Sequence, residues 1–301
     1  MTLNKNTIST PAAPVFINLP ADEGVHAAPT VDIWYVSCSL SAAERQFHTQ
    51  VVVVTNFAGP VSTHLYMVES GSPNKRNEVT VHTDITGISA SALDIRLPNV
   101  TLSGTAQGFT LHAALGEDRM ELALAPRFPI LYANGTGMFP YHGDATYQYS
   151  LAGMAVSGTL TVDGEQLQVE GHGWHDRQWA SSAETFGSAD GFIWMGLCLD
   201  NGDNLSLWDI VAPDGTPYCW ATVVKPDSTH IISPVALSGA EGGTAGRGPW
   251  RVNIPAIETE LVVSQEAIHN EASFYSGSCK VSGTDRSESV SGYGFVDVVL
   301  R

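Results

Sequence analysis

Short alternations of apolar and polar residues, separated by turn residues, run along most of this chain. This pattern predicts β-strands. A strand, a polar turn at residues 41–44 and a β-branched run predict a hairpin within residues 34–55, and similar segments follow at short intervals before a second series begins at residues 192–199. Because no segment shows sustained helical periodicity, we expect an all-β protein with one short helix at most, around residues 180–186.

A weak internal repeat divides this series of strands. Trp34 and Cys38 have the same spacing as Trp194 and Cys198, and in both places a turn and another β-rich segment follow. Such self-similarity predicts two related antiparallel barrels, with a junction near residues 178–188.

Chain length agrees with this division, since 301 residues are nearer two domains than one. Residues 1–28 are rich in Pro, Ala, Thr and Asn and predict an extended lead-in. Residues 29–180 would form the first barrel and residues 181–301 the second.

The amino-acid composition and net charge exclude some classes of binding partner. The net charge of -17 would repel a phosphate backbone or an anionic membrane surface, so we expect no nucleic-acid binding. The start of the chain has no signal-peptide pattern, and no run of about 18 apolar residues occurs, so we expect no membrane insertion and a cytoplasmic location. A hydrophobic small molecule is the expected partner, bound by a monomer or a homodimer.

Motifs for bound metals and cofactors are missing from the sequence. The four cysteines are scattered without a C-x-x-C pair, which argues against a zinc cage and against a disulfide framework. No phosphate-binding glycine loop, H-E-x-x-H or G-x-S-x-G motif is present. We therefore expect neither a metal nor a cofactor.

The segment from residue 171 to 179 holds the densest group of chemically useful side chains. If it is a strand end, period-2 geometry separates its two faces. His172, Trp174 and Asp176 would share one face, and His175, Arg177 and Trp179 the other. A carboxyl group against Trp174 in a dry pocket would have a raised pKa, which suits Asp176 to act as a general acid. The alternative is a structural ion pair between Asp176 and Arg177.

Further candidates come from aromatic and histidine residues on predicted strands. Tyr149 could donate a hydrogen bond to a substrate carbonyl, and His175 could activate a water molecule. The residues predicted to line a hydrophobic cavity are Trp34, His64, Tyr66, Tyr132, Tyr141, Tyr147, Trp174, Trp179 and Trp194.

Three motifs together carry a resemblance to a known family. Residues 32–35, residues 147–150 and the segment 173–179 resemble the carotenoid 1,2-hydratase (hydroxyneurosporene synthase) and attachment-protein family, in order and through nearly the whole chain. The resemblance implies two lipocalin-like antiparallel barrels packed side by side, with a ligand cavity in or between them. Its members include carotenoid hydratases, a phytoalexin hydratase and fungal decalin-forming Diels-Alderases.

One departure from that family argues against carotenoid hydration in particular. Carotenoid hydratases carry a His and a Trp two residues apart, upstream of the acid, and we match these positions to Tyr147 and Tyr149. The acid itself is retained as Asp176.

Three functional hypotheses remain. The first is a cofactor-independent cyclase, pericyclase or Diels-Alderase-like, acting on a hydrophobic polyene, polyketide or isoprenoid intermediate of secondary metabolism. The second is a hydratase or dehydratase acting at an isoprenoid C=C bond, with Asp176 as the acid. The third is a carrier of a hydrophobic ligand without catalysis.

Overall fold

The computed structural model describes most of the chain, and it is built almost entirely of strands. It covers residues 15–27, 30–55, 59–72, 75–83, 86–141, 144–180, 191–211, 215–239, 248–270 and 274–299. The predicted short helix falls mainly on residues outside these ranges. Helical structure in the described residues consists of three single 3-10 turns, and none of them is long or apolar enough to cross a membrane.

Twenty-one strands follow one another along the described chain. They are β1 (Val31–Ala42), β2 (Arg45–Thr55), β3 (Val61–Glu69), β4 (Lys75–His82), β5 (Leu93–Arg96), β6 (Val100–Thr105), β7 (Gly108–Leu115), β8 (Asp118–Ala125), β9 (Leu131–Tyr132), β10 (Met138–Tyr141), β11 (Asp144–Val162), β12 (Glu165–Ala180), β13 (Phe192–Leu199), β14 (Asn204–Val211), β15 (Pro217–Val224), β16 (His230–Pro234), β17 (Ala236–Gly239), β18 (Trp250–Ile254), β19 (Thr259–Asn270), β20 (Phe274–Asp285) and β21 (Glu288–Val299). The 3-10 turns are Ala21–Glu23, Ala133–Gly135 and Pro255–Ile257.

The strands form two antiparallel sheets, one a half-barrel and the other a nearly closed barrel. The first sheet has the order β4-β3-β2-β1-β12-β11-β8-β7-β6-β5, with β9 and β10 also paired to β11. The second has the order β16-β15-β14-β13-β21-β20-β19-β18-β17. The predicted all-β class, with two lipocalin-like barrels side by side, is confirmed.

Strand order repeats between the sheets, but the orientation of the repeated residues does not. In the first sheet β1 lies between β2 and β12, and in the second β13 lies between β14 and β21. Trp34 nevertheless packs inside its own barrel, whereas Trp194 packs in the layer between the barrels. Side chains alternate along a strand, so a shift of one residue between the two repeats reverses the face on which they lie.

The segment with the densest chemistry lies within a long strand pair. The long strand β11 continues through an irregularity, because its register with β12 shifts between Leu151 and Met154. Gly153 has a φ of 53° at this bulge, a backbone conformation that glycine adopts easily. Residues 171–179 lie inside β12, which pairs with β1 on one side and β11 on the other.

Apolar side chains form a core inside each barrel and a third cluster between the barrels. The cluster between the barrels is rich in aromatic residues and contains Tyr35, Leu131, Ala133, Phe139, Tyr141, Ala152, Trp174, Trp194, Cys198, Trp208, Ile210, Trp220, Val224 and Phe295. Such a layer removes a large apolar area from water, and it holds the outer faces of the two sheets together.

A buried arginine anchors the inner face of β12. The Arg177 guanidinium is fully buried, lies 4.2 Å from the Trp34 ring centroid, and donates through Nη2 to Asp32 Oδ1 at 2.5 Å. Burial alone would raise the pKa of Asp32, but a hydrogen bond with His26 and the charge of Arg177 hold it below the usual value.

The lead-in segment completes the shell around this cation. Arg177 Nε donates to the Asp22 carbonyl oxygen at 2.9 Å, and Nη2 donates to the Gly24 carbonyl oxygen at 2.5 Å. Trp34 Nε1 donates to the Glu23 carbonyl oxygen at 2.9 Å. The lead-in is therefore not extended throughout, because the 3-10 turn at residues 21–23 aims carbonyl groups at Arg177.

Asp32→Asn should lower the free energy of unfolding by about 3 to 5 kcal/mol, because it leaves the buried Arg177 charge without its counter-ion. The matched control is Asp94→Asn, which removes the carboxylate of the exposed Arg96–Asp94 pair and should cost less than about 1 kcal/mol. Urea unfolding of both variants measures the difference, and equal losses would contradict a structural role for this pair.

Candidate functional site between the barrels

A cavity with a volume of about 350 Å³ lies between the two barrels. Outward-facing residues of both sheets line it, and most of them are apolar or aromatic. They are Ile33, Tyr35, Gln50, Val52, Val54, His64, Tyr66, Tyr141, Asp176, Gln178, Phe192, Trp194, Trp208 and Asp297. An apolar cavity with a few convergent polar groups is the usual form of a small-molecule site.

Asp176 is the first of two carboxyl groups in this cavity. Its register partners are Tyr35 on β1 and Ser150 on β11. Ser150 Oγ donates to Asp176 Oδ1 at 2.5 Å, and Trp174 Nε1 donates to the same oxygen at 2.6 Å. Burial raises the pKa of Asp176 to about 7, against the lowering effect of hydrogen bonds with Ser150, Trp174 and Gln148.

The predicted alternative of an ion pair between Asp176 and Arg177 is wrong. Arg177 points to the opposite face of β12, where it pairs with Asp32. Within the described ranges, no lysine, arginine or histidine lies within ion-pairing distance of Asp176. A buried carboxyl group with which none of these described cations pairs favours its protonated form.

Asp297 is the second carboxyl group, and it was not among the site residues predicted from the sequence. It lies on β21, which occupies in the second sheet the place that β12 occupies in the first. Gln50 Nε2, from the first barrel, lies 3.3 Å from Asp297 Oδ1 and also donates to Ser276 Oγ at 2.8 Å. Burial raises the pKa of Asp297 to about 6, and hydrogen bonds with Ser276, Tyr35 and Gln50 oppose the increase. One charged residue within the apolar run 295–299 was the available signal.

Tyr35 is hydrogen-bonded to the second carboxyl group and is the register partner of the first. Its hydroxyl accepts a hydrogen bond from Gln50 Nε2 at 3.0 Å and is hydrogen-bonded to Asp297. Burial raises the pKa of Tyr35 well above its usual value, and the negative charges of Asp297 and Asp176 raise it further. The hydroxyl of Tyr35 therefore keeps its proton.

The structure brings five of the predicted site residues to the cavity wall. They are Asp176, His64, Tyr66, Tyr141 and Trp194. Trp174 lies directly behind Asp176, to which it donates, and packs edge-on against Trp194 with 5.7 Å between ring centroids. These residues form one continuous environment for a bound molecule.

His175 and Tyr149 do not reach the cavity, which corrects their predicted catalytic roles. Both are buried in the first barrel with their rings 6.2 Å apart, and His175 Nδ1 donates to the Tyr35 carbonyl oxygen at 2.9 Å. The reason is strand alternation, since His175 follows Trp174 and precedes Asp176 on β12. On β11 it is Ser150, and not Tyr149, whose side chain meets Asp176.

The remaining predicted binding residues also lie away from this cavity. Trp34 and Trp179 flank Arg177, and Tyr147 stacks on Trp179 with 5.3 Å between ring centroids. Tyr132 lines a separate groove beside His230, whose Nε2 accepts from the Tyr132 backbone N–H at 3.0 Å. They contribute to packing in the structure and do not contact the cavity.

Metal-ligating residues are dispersed in the part of the chain that the structure describes. No group there of three or more His, Cys, Asp or Glu side chains could hold a metal ion. All four cysteines are free thiols, three of them buried and Cys219 partly exposed.

A family model described as AttH-like matches residues 10–299 of this chain. The chain belongs to the AttH-like family. This result confirms the resemblance seen in the three sequence motifs. It also agrees with the two-barrel architecture.

Sequence comparison finds similarity to kievitone hydratase of Fusarium solani subsp. phaseoli, at 22% identity over 236 residues. The match takes in 70% of this chain and 66% of that protein, just under two thirds of its length.

Solved structures show the shared fold. The chain is similar to a protein assigned as AttH from Nitrosomonas europaea, with a TM-score of 0.77 at 18% identity, covering 97% of this chain and 99% of that one. Kievitone hydratase from Nectria haematococca gives a TM-score of 0.75 at 19% identity, over 89% and 88% of the two chains. CghA gives 0.54 at 12% identity, over 90% and 88%.

Replacing Asp176 should change how stability depends on pH. With a pKa near 7 in the folded protein, against about 3.9 when unfolded, the folded state binds the extra proton between these values. Wild-type stability should therefore fall as pH rises through this window. Relative to the wild type, Asp176→Asn should gain about 2 to 4 kcal/mol between about pH 4 and about pH 8.

Urea unfolding across this pH range measures the gain. The control is Asp200→Asn, because hydrogen bonds with Ser291 hold the pKa of Asp200 below its usual value and give the opposite trend. A pH-independent difference between Asp176→Asn and wild type would show that Asp176 is ionised in the folded protein.

Proposed function

We propose that this protein is a hydratase or hydro-lyase that adds water to, or removes it from, a C=C bond of a hydrophobic substrate held between the barrels. The observation that carries the proposal is the pair of buried carboxyl groups, each with a raised pKa, on the wall of one apolar cavity. Pairs of acids tuned in this way are typical of proton-transfer sites.

In the hydration direction Asp176 is the general acid. Its carboxyl proton goes to one alkene carbon, the π electrons form the new C–H bond, and the other alkene carbon becomes cationic. The ionised Asp297 takes a proton from a water molecule as the water oxygen forms a C–O bond to that cation. The sum is alkene plus water giving an alcohol, with the proton finally on Asp297.

Returning that proton to Asp176 completes the cycle. We propose that Tyr35, which is hydrogen-bonded to Asp297 and is the register partner of Asp176, accepts a proton from Asp297 while giving its own to Asp176. The lower pKa of Asp297, about 6 against about 7 for Asp176, supports its assignment as the base.

The walls of the cavity suit a transient carbocation. The aromatic rings of Trp194 and Trp208 line the cavity, and the faces of such rings attract cations. Apolar walls also exclude bulk water, which strengthens the electrostatic effect of the two acids on the substrate.

Similarity to kievitone hydratase supports this proposal at the level of reaction type. That protein's name specifies hydration of kievitone, and we extend to this chain only the class of reaction. The residues that carry it here are Asp176, Asp297 and Tyr35.

A cofactor-independent cyclase is the second candidate. The specific observation that favours it is the apolar, aromatic lining, which could hold a polyene in a folded reactive conformation while protonated Asp176 donates to a substrate carbonyl. This reaction needs one donor and no base, so it leaves Asp297 without a catalytic role.

Mass spectrometry separates these functions. Purified protein is added to a metabolite extract from a strain that lacks it, in water enriched in oxygen-18. A hydratase should convert one compound into a product heavier by one labelled water, or remove one water in the reverse direction. A product of unchanged mass would identify a cyclase, and an unchanged extract would leave the carrier hypothesis.

Variants then test the roles of the acids on the substrate so found. Asp176→Asn should reduce turnover by about 1,000-fold or more, and Asp297→Asn by about 100-fold, because each removes one proton-transfer group. If the protein is a cyclase, Asp297→Asn should leave turnover nearly unchanged. Asp94→Asn, remote and exposed, is the control and should be active.

The pH profile provides an independent test. The rate of hydration should rise as Asp297 ionises near pH 6 and fall as Asp176 loses its proton near pH 7, giving a narrow bell. Asp297→Asn should abolish the acidic limb and keep the alkaline one. A bell that persists unchanged in this variant would contradict the assignment of Asp297.

A further inference from the structure

A straight row of side chains connects Asp176 to the edge of the first sheet. The strand registers pair Asp176 with Tyr35, Tyr35 with Val52, Val52 with His64, and His64 with Val79. Register partners in antiparallel strands point to the same face, so these five side chains form one line across the outer surface. We call this line the acid row.

A second row runs beside it, two residues further along each strand. It pairs Gln178 with Ile33, Ile33 with Val54, Val54 with Ser62, and Ser62 with Val81. We call this line the neighbouring row. Between β12 and β3 the two rows supply much of the cavity wall, including Ile33, Val52 and Val54.

Exposure increases along both rows towards β4. Asp176 is 6% exposed and Tyr35 8%, Val52 and His64 are partly buried, and Val79 and Val81 are 54% and 60% exposed. The second barrel covers the other side, where Phe295 packs on His48 and Asp297 lies beside Gln50. The rows therefore run from the closed end of the cavity to an open apolar edge.

The edge strand β4 ends the sheet in this direction. Val79 and Val81 are among the few large apolar side chains that are exposed in the described residues. Because Val79 and Val81 lie on the two rows that lead to the cavity, they extend its apolar wall to the surface. An apolar patch that is continuous with a cavity is typical of a ligand groove.

We propose that Val79 and Val81 form the outer part of the substrate site, and that the substrate is an elongated, apolar molecule whose reacting end lies at Asp176. This inference rests on the proposed function for the identity of the reacting end. Adjacent strands lie about 4.8 Å apart, so the four steps from β12 to β4 span about 19 Å along the sheet.

The charged groups along the proposed site restrict the chemistry of the two ends of the substrate. A carboxylate or phosphate at the inner end would meet Asp176 and Asp297, so the reacting end should be neutral. The outer end passes over exposed β4 and can carry a polar or bulky group that stays in water. The site thus selects molecules with an apolar reacting end.

The test compares a long and a short probe that share the same ring. All-trans-retinol is a neutral polyene, and β-ionone has a similar ring with most of the tail removed. Quenching of the fluorescence of Trp194 and Trp208 reports binding of either. The variant Val79→Asp/Val81→Asp should raise the Kd for retinol by about 10-fold and that for β-ionone by less than about 2-fold, since only the long probe covers β4.

Two variants serve as controls. Ile232→Asp changes another exposed apolar residue, 44% exposed and outside both rows, and should bind both probes like wild type. The isosteric Val79→Thr/Val81→Thr keeps the β-branched shape and should weaken retinol binding less than the aspartate variant.

Equal changes for the two probes, unchanged retinol binding in the aspartate variant, or no retinol binding by wild type would each overturn the inference. These readings do not depend on turnover. If Asp176→Asn leaves catalysis intact while the two probes still differ, the proposed function fails and the outer site stands.

Discussion

The ion pair between Arg177 and Asp32 determines how the central strand of the first barrel divides its chemistry. It places the only cation of the segment 171–179 on the inner face of β12, enclosed by Trp34 and by carbonyl groups of the lead-in. Asp176, one residue away, faces outward, where no cation of the described residues pairs with it. Burial of its carboxyl group against Trp174 raises its pKa to about 7.

The site depends on both barrels, because the cavity is the space between their outer faces. Asp176 and Asp297 come from equivalent strands of the two sheets, and Gln50 of the first barrel helps to orient the acid of the second. This arrangement explains the aromatic layer around the cavity. It packs the two sheets together so that both acids lie on the wall of one cavity, and it excludes water from them.

Much of the fold could be predicted from local patterns. The first hairpin, the strand Phe192–Leu199 and the two-barrel class agree with the structure, because alternation and turn residues are local signals. The sequence pattern could not predict that β11 is one continuous strand, because its bulge interrupts the alternation of apolar and polar residues that indicates a strand. The pairing of Asp297 with the first barrel was equally hidden, because it depends on residues distant in sequence.

The sequence by itself determined which side chains share a face, and only the tertiary structure decided what covers that face. Alternation correctly grouped Trp174 with Asp176 and separated them from His175 and Arg177. It could not show that the first group meets the second barrel while His175 and Tyr149 enter a closed core. Trp34 and Trp194 hold matching places in the sequence repeat and still point to different environments. A periodic pattern specifies relative orientation along one strand, whereas burial depends on which surface packs against it.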